Sequence, residues 1–343
     1  MLTLYRSNRL EVLAQILIAQ FGHGDPLAPE VVLVQGRAVE RWRTQRIARP
    51  CGLPAQFQFL FPARLAWQLT RPERHAAEPL SPYTPEVLSW RVFDLLERGN
   101  GAAADPLLAH YLGQGDAVFR FDLAARIADV FDQYLLYRPL WVAAWERGER
   151  CGLGPHEEWQ ATLWAALVAD EPAPHRAESL GLALRALEAG QLPDDLPPRL
   201  SVFAPASLPP MYQRLLQAIA RHRTVDFYLL DPSSQWWGDV RDYSEQLRAG
   251  ITETDDADTL HLDVGHPLLA SLGKQWRDFL GQILTLEPAE STPVFISNRH
   301  ADEAPRPLLL ELQDDLLHLT DRSRAHDNTL VVADDDRSIE FHA

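Results

Sequence analysis

The sequence predicts an α/β protein in which a parallel sheet is interrupted by a long helical segment. Short apolar runs alternate with helical periodicity near the N-terminus, helical periodicity dominates residues 80–190, and strand-like runs return from residue 200. With 343 residues and a hydrophobic content of 46%, the chain is long enough for two units that each bury a core.

The first predicted elements are a strand, a turn and a helix. Leu2–Tyr5 is a short apolar run, Asn8 and Glu11 have capping-box spacing, and apolar residues recur at helical spacing over Leu10–Leu17. A nucleotide-binding α/β domain carries its glycine-rich loop in such a turn. Here the turn reads RSNR, and no glycine precedes Gly22, so we expect the scaffold without the phosphate loop.

A second strand is predicted at Val31–Val34, with a helix after it at Ala38–Ile47. Gln35, Arg37 and Arg41 follow the strand at the sheet edge where open parallel sheets bind ligands. Polar residues after a strand are, however, more often simply a surface turn. A further apolar segment at 57–62 leads into a helix that carries Trp67.

The helical segment is centred on residues 121–145. Its helix should end near Tyr137–Arg138, since Pro139 disfavours helical geometry in the residue before it. Asp129 and Asp132 share one face with Gln133, and this face could be solvated or could line a groove. The predicted buried stripe consists of Leu123, Ile127, Val130, Phe131 and Tyr134. Tryptophan stripes in this segment, such as the one that begins at Trp159, are expected in the core.

The returning strands, Leu200–Ala204 and Val225–Leu230, flank a helix at Tyr212–Arg221, as in a β-α-β unit. In an ATP-driven motor the first strand should end in acidic residues that hold magnesium. The sequence reads VFAPASLPP instead, and the next acid is Asp226, inside the following strand. The magnesium site is therefore expected to be absent.

The single lysine, Lys274, also excludes enzyme classes. A phosphate-binding loop needs glycine six residues before its lysine, where Leu268 stands, and Ser or Thr after it, where Gln275 stands. An acid-x-Lys nuclease centre needs an acid where Leu272 stands. The C-terminal part is predicted to contain an acidic loop at 251–263, a helix at Leu308–Leu319 and a strand at Ser338–His342, the last suggesting a piece of a longer protein.

The composition limits which partners, cross-links and cellular locations are expected for the chain. The net charge of −16 argues against loose adhesion to nucleic acid but leaves room for a narrow channel of different local charge. Two cysteines, Cys51 and Cys151, make neither a disulfide framework nor a structural zinc site. We expect no membrane span, no signal peptide and a cytoplasmic location.

Several stretches resemble the RecC family, the gamma subunits of exodeoxyribonuclease V, which is the bacterial RecBCD helicase–nuclease. These stretches are LYRSNRLEVL (4–13), VLVQ (32–35), FPARLAW (61–67), FDQYLLYRPLWVAAWERG (131–148), WQATLWAAL (159–167), SLPPMYQRLLQAI (207–219), WWGDVRD (236–242) and HPLLASLGKQWRDF (266–279). The similarity runs along the whole chain and covers about the N-terminal third of such a subunit.

The resemblance implies a P-loop-NTPase-like parallel sheet, similar to a superfamily 1 helicase motor that has lost its ATPase residues. It assigns residues 1–80 and 195–343 to this domain and residues 81–194 to an all-helical insertion. It also implies a non-catalytic subunit with no cofactor of its own, since RecB-like and RecD-like partners use ATP and magnesium. The single-stranded DNA tail would thread past it and be scanned for Chi during double-strand break repair by recombination.

The resemblance further implies a set of DNA-reading positions. Phe61 and Val130 stand where better-studied members have leucine, and Arg37 and Arg41 replace a threonine and a glutamine. Arginine prefers guanine edges and phosphates, aromatic rings stack on bases, and carboxylates accept from base amino groups. The set is Gln35, Arg37, Arg41, Phe61, Trp67, Asp129, Val130, Asp132, Arg138 and Arg176.

Two other functions remain open at this point. An autonomous ATPase is opposed by the missing loop, lysine and acids. A protein-interaction scaffold that holds the two motors, with no DNA reading of its own, is supported by the net charge of −16.

Overall fold

The fold is built on a six-stranded parallel sheet. A computed structural model describes residues 1–20, 29–36, 57–70, 81–99, 105–113, 115–169, 171–240, 266–298, 306–322 and 330–340. Within these residues the strands are β1 (Leu2–Ser7), β2 (Glu30–Leu33), β3 (Phe57–Leu60), β4 (Arg199–Phe203), β5 (Thr224–Leu230) and β6 (Glu290–Pro293). Their spatial order is β3-β2-β4-β5-β1-β6, and all neighbours pair in parallel.

Twelve helices accompany the strands in the same residues. They are α1 (Leu10–Ala19), α2 (Pro62–Leu69), α3 (Pro85–Glu97), α4 (Pro106–Leu112), α5 (Ala117–Tyr137), α6 (Pro139–Glu146), α7 (Glu157–Ala169), α8 (Arg176–Glu188), α9 (Pro210–Ala220), α10 (Pro267–Leu272), α11 (Lys274–Leu284) and α12 (Leu308–His318).

The predicted β-α-β unit is confirmed. β4 and β5 lie side by side in parallel, with Phe203 opposite Tyr228, and α9 connects them. Val225, Phe227 and Tyr228 on β5 are fully buried. Consecutive burial of this kind is typical of a parallel strand that is covered on both faces, and it explains why the run has no polar alternation.

The chain divides into two compact units. The first comprises Met1–Pro62, Asp195–Leu208 and Leu216–Ala343, and it contains the sheet. The second comprises Ala63–Asp194 and Pro209–Leu215, and its helices include α3 to α8.

Aromatic side chains form the core of the helical unit. Trp145, Trp164 and Phe131 are fully buried, and the rings of Phe131 and Trp164 meet edge to face with centroids 5.3 Å apart. Leu163 is buried in the same cluster, and Trp159 packs against it. The prediction that the tryptophan stripe of α7 belongs to the core is confirmed.

The predicted capping box at the start of α1 is wrong. The N-cap of α1 is Arg9, without a side-chain cap bond. The Asn8 amide instead donates to the backbone oxygen of Ile296 (2.8 Å) and accepts from its backbone nitrogen (2.9 Å). A pair of tertiary hydrogen bonds thus replaces the local one that the spacing predicted.

Two other sequence predictions differ from the structure, and two cannot be compared with it. Val130 is 38% exposed, because Ala124, Ile127 and Ala128 form the buried face of α5 with Phe131. The described part of the predicted C-terminal strand, residues 338–340, is not a strand, whereas the unpredicted β6 extends the sheet beside β1. The predicted helix at 38–47 and the acidic loop at 251–263 lie outside the described residues.

Candidate nucleic-acid interface

Gln35 lies at the carboxyl edge of the sheet, directly after β2, and holds the loop that follows β4. Its side-chain oxygen accepts from the backbone nitrogen of Ala206 (2.8 Å), and its amide donates to the backbone oxygen of Ser207. This loop stands where a motor would carry its magnesium-binding acids. The contact gives Gln35 a structural role in addition to its predicted one.

The turn after β1 is bonded to the chain's own residues that follow β6. Asn8 pairs with the backbone of Ile296, and the Arg9 guanidinium donates to the side-chain oxygen of Asn298. Asn298 is held in turn by Asp314, whose carboxylate accepts from its backbone nitrogen at 2.8 Å. In a nucleotide-binding domain, this turn would hold phosphates.

Two aromatic side chains of the predicted set are accessible. Phe61 is exposed immediately after β3, and Trp67 on α2 is 44% exposed. Both can offer a ring face to a ligand. Arg37 and Arg41 lie outside the described residues.

A groove of about 570 Å³ runs beside the end of α2 within the helical unit. One side is formed by Gln68, Leu69 and Thr70, which follow Trp67, and the other by side chains on α8 such as Ser179 and Leu182. The end of the helix that carries Trp67 therefore faces, across this groove, the helix that begins with Arg176.

The longest of the described helices, α5, presents the other predicted residues. The Asp116 carboxylate caps it by accepting from the backbone nitrogen of Phe119 (3.0 Å), and the helix ends at Tyr137, just before Pro139, as predicted. Its apolar face packs into the aromatic core, so its polar face is directed away from that core.

Asp132 on this face is paired with Arg176. The guanidinium Nη2 donates both to the Asp132 carboxylate and to its backbone oxygen, each at 2.8 Å. The two side chains keep 29% and 37% of their surface exposed, so the pair remains accessible. Tyr212 on α9 lies close to it: burial raises the pKa of the Tyr212 hydroxyl, while the Arg176 charge opposes this and the Asp132 charge adds to it.

Three further predicted residues flank the pair along the chain. Asp129 is exposed about one turn before Asp132 on the same side of α5, and Val130 is exposed on another side of the helix. Arg138, at the end of the helix, donates to the backbone oxygen of Tyr137 (3.0 Å) and lies over the ring of Trp141, 5.3 Å from its centroid. The surface thus offers carboxylates, a guanidinium and apolar edges, which suits recognition of base edges better than capture of phosphates.

Sequence reasoning missed a buried network directly before Arg176. His175 is only 5% exposed; its Nδ1 accepts from the backbone nitrogen of Glu178 (3.1 Å), and its Nε2 lies 2.7 Å from the Glu146 carboxylate. Trp164 donates to the same Glu146 oxygen at 2.9 Å. The only available signal was the position of a histidine before a helical segment, which does not distinguish this role from a loop histidine.

In the described part of the chain, no group of three His, Cys, Asp or Glu side chains is placed to hold a metal ion. Among the same residues, no helix combines the length and apolar character that a membrane crossing requires.

Comparison with known proteins decides the family. The model of the family described as RecC, N-terminal domain, matches residues 2–319. The chain belongs to this family. It is 31% identical to the RecBCD enzyme subunit RecC of Escherichia coli (strain K12), 28% identical to that of Haemophilus influenzae and 31% identical to that of Mycolicibacterium smegmatis.

The alignments cover 100% of this chain but only 34%, 35% and 30% of those three RecC subunits. The chain therefore spans about one third of the length of the curated RecC proteins it matches. Within this RecC N-terminal region, Gln35 and Phe61 belong to the first unit, and Trp67, Asp132 and Arg176 belong to the second. Of the predicted set, the described contacts directly join only Asp132 and Arg176.

Proposed function

We propose that the chain is a DNA-reading, non-catalytic part of a RecC-type subunit in an ATP-dependent RecBCD helicase–nuclease. In this role it guides the single-stranded tail of unwound DNA and recognises Chi during recombinational repair in the cytoplasm. The observation that carries the proposal is the polar face of α5, where the Asp132–Arg176 pair remains accessible and Asp129 and Arg138 are exposed in a member of the RecC family.

We infer that the first unit is a helicase-like motor that has lost its ATPase site, and that the helical unit is its insertion. Two features support this inference. The turn after β1 contains no glycine and is bonded to Ile296 and Asn298, and the loop after β4 contains no acid and is held by Gln35. ATP and magnesium would then act in RecB-like and RecD-like partners.

The chemistry of the exposed predicted residues suits single-stranded DNA that moves past them. Trp67 and Phe61 offer stacking surfaces that tolerate any base, while Asp129 and Asp132 can accept hydrogen bonds from the amino groups of cytosine or guanine. Carboxylates also repel phosphates, which limits non-specific grip and permits sliding. Arg37 and Arg41 would add contacts to guanine edges or phosphates.

Photo-crosslinking in the assembled complex tests the proposal. The full-length subunit is reconstituted with its partners and loaded with DNA whose unwound strand carries photo-reactive bases, and the crosslinked peptides are identified by mass spectrometry. Crosslinks should map near Trp67 or Asp132. Crosslinks that map only to other parts of the complex would contradict DNA reading by this chain.

A protein-interaction scaffold is the second candidate. Trp90 on α3 is 62% exposed and packs against Phe121 on α5 with ring centroids 4.4 Å apart. Val118, three residues before Phe121 on α5, is also exposed. Exposed aromatic clusters of this kind are typical of protein contacts. If the chain were only a scaffold, Trp90→Ala would weaken assembly of the complex, and no DNA crosslink would map to α5.

A further inference from the structure

The start of α8 is fixed by an unusual cap. Helix N-caps are most often Ser, Thr, Asp or Asn, but here the cap is His175, whose Nδ1 accepts from the backbone nitrogen of Glu178 at 3.1 Å. Since Nδ1 must be unprotonated to accept this bond, the ring proton lies on Nε2.

Glu146 at the end of α6 fixes the opposite side of the same ring. The Nε2 proton points to its carboxylate 2.7 Å away, and Trp164 donates to the same oxygen at 2.9 Å. Burial by itself would raise the pKa of Glu146, but the hydrogen bonds from His175 and Trp164 outweigh it and lower the pKa, so the carboxylate stays ionised. Edge-to-face contacts with Tyr83 and Trp164, with centroids 5.6 Å away in each case, leave the ring little freedom to turn.

The residue after this cap is Arg176. Its guanidinium must reach Asp132 on α5 to donate to the backbone oxygen and the carboxylate, each at 2.8 Å. The backbone position from which it reaches is set by residues 175–178, the turn that the His175 ring holds. A shift of this turn would therefore move Arg176 relative to the polar face of α5.

We propose that His175, held by Glu146, is a positioning residue that places Arg176 against Asp132 and thereby sets the geometry of the DNA-reading face. This inference rests on the proposed function. His175 is itself buried and makes no contact with DNA; it acts through Arg176.

The test uses four variants of the full-length subunit in the assembled complex: His175→Ala, His175→Asn, Arg176→Ala and the double variant His175→Ala/Arg176→Ala. Asparagine can still accept from Glu178, so it restores the cap, while alanine cannot. The first readout is amide exchange over residues 176–182, which should become about fivefold faster in His175→Ala and return towards the wild-type rate in His175→Asn. The second readout is the yield of photo-crosslinking between the unwound strand and α5.

The crosslinking yield should fall several-fold in His175→Ala, recover in His175→Asn and fall no further when His175→Ala is added to Arg176→Ala. The same fold-loss in the presence and absence of Arg176, or a failure of His175→Asn to restore the yield, would overturn the positioning role alone. If Arg176→Ala by itself left the crosslinks to α5 unchanged, the positioning role would be overturned while the proposed function stood. Absence of crosslinks to α5 in the wild-type complex would instead overturn the proposed function.

Discussion

Asp132→Ala should separate DNA reading from stability. The Asp132–Arg176 ion pair is about one-third exposed, and Arg176 keeps its second bond to the Asp132 backbone oxygen when the carboxylate is removed. A partly exposed pair of this kind contributes about 0.5–1 kcal/mol, so the melting temperature should fall by only about 2 °C. By contrast, loss of a carboxylate that reads a base removes about 1–3 kcal/mol of discrimination, which is about 5- to 150-fold.

The assay uses the complete complex acting on linear duplexes with a randomised internal segment. Sequencing the DNA ends at which degradation stops identifies the recognised sequence, and the fraction of ends at that sequence measures the response to it. The unwinding rate is measured on DNA that lacks the recognised sequence. Asp132→Ala should reduce this response about fivefold or more and leave unwinding unchanged. Asp122→Ala, an exposed acid earlier on α5, is the matched control and should change neither. Loss of unwinding in a stably assembled Asp132→Ala complex would refute the assigned role.

Four further outcomes are expected. Arg138→Ala should reduce the same sequence response without slowing unwinding, because its exposed guanidinium, which lies over the Trp141 ring, belongs to the reading face and not to a motor site. Slower unwinding would contradict this. Phe131→Ala should lower the free energy of unfolding by about 4 kcal/mol in urea titrations, since it empties a fully buried site. Burial alone would raise the pKa of the Glu157 carboxyl, but its hydrogen bonds outweigh this and lower the pKa to about 2. The ionised carboxylate should therefore stabilise the folded state fully above about pH 4.5, and this contribution should disappear as the pH falls towards 2. In melting curves, Glu157→Gln should abolish this pH dependence, whereas the exposed Glu158→Gln should not. Magnesium-ATP should leave the melting temperature of the chain unchanged, and an increase would support an active nucleotide site.

The sequence predicted most of the regular structure because its signals are local. Continuous apolar runs predicted β4 and β5, and the position of Pro139 correctly predicted where α5 ends. The edge strand β6 escaped prediction, because its four residues, ESTP, are all exposed and are held by pairing with β1 rather than by burial.

Contacts between distant parts of the chain could not be predicted. Asn8 has the spacing of a cap, but a partner 288 residues away takes its side chain. Arg176 was assigned through family resemblance, and only the structure pairs it with Asp132. His175 and Glu146 are 29 residues apart and meet because α6 and α8 pack in one helical unit, so no spacing rule could have linked them.

An electron cryo-microscopy structure of the full-length subunit, assembled with its partners on partly unwound DNA, would show whether the polar face of α5 reads the unwound strand. We expect the single strand to run along α5, with bases within hydrogen-bonding distance of Asp129 or Asp132 and a ring of Trp67 or Phe61 stacked on a base. A strand that runs elsewhere, with this face of α5 covered by a protein partner, would contradict it and favour the scaffold.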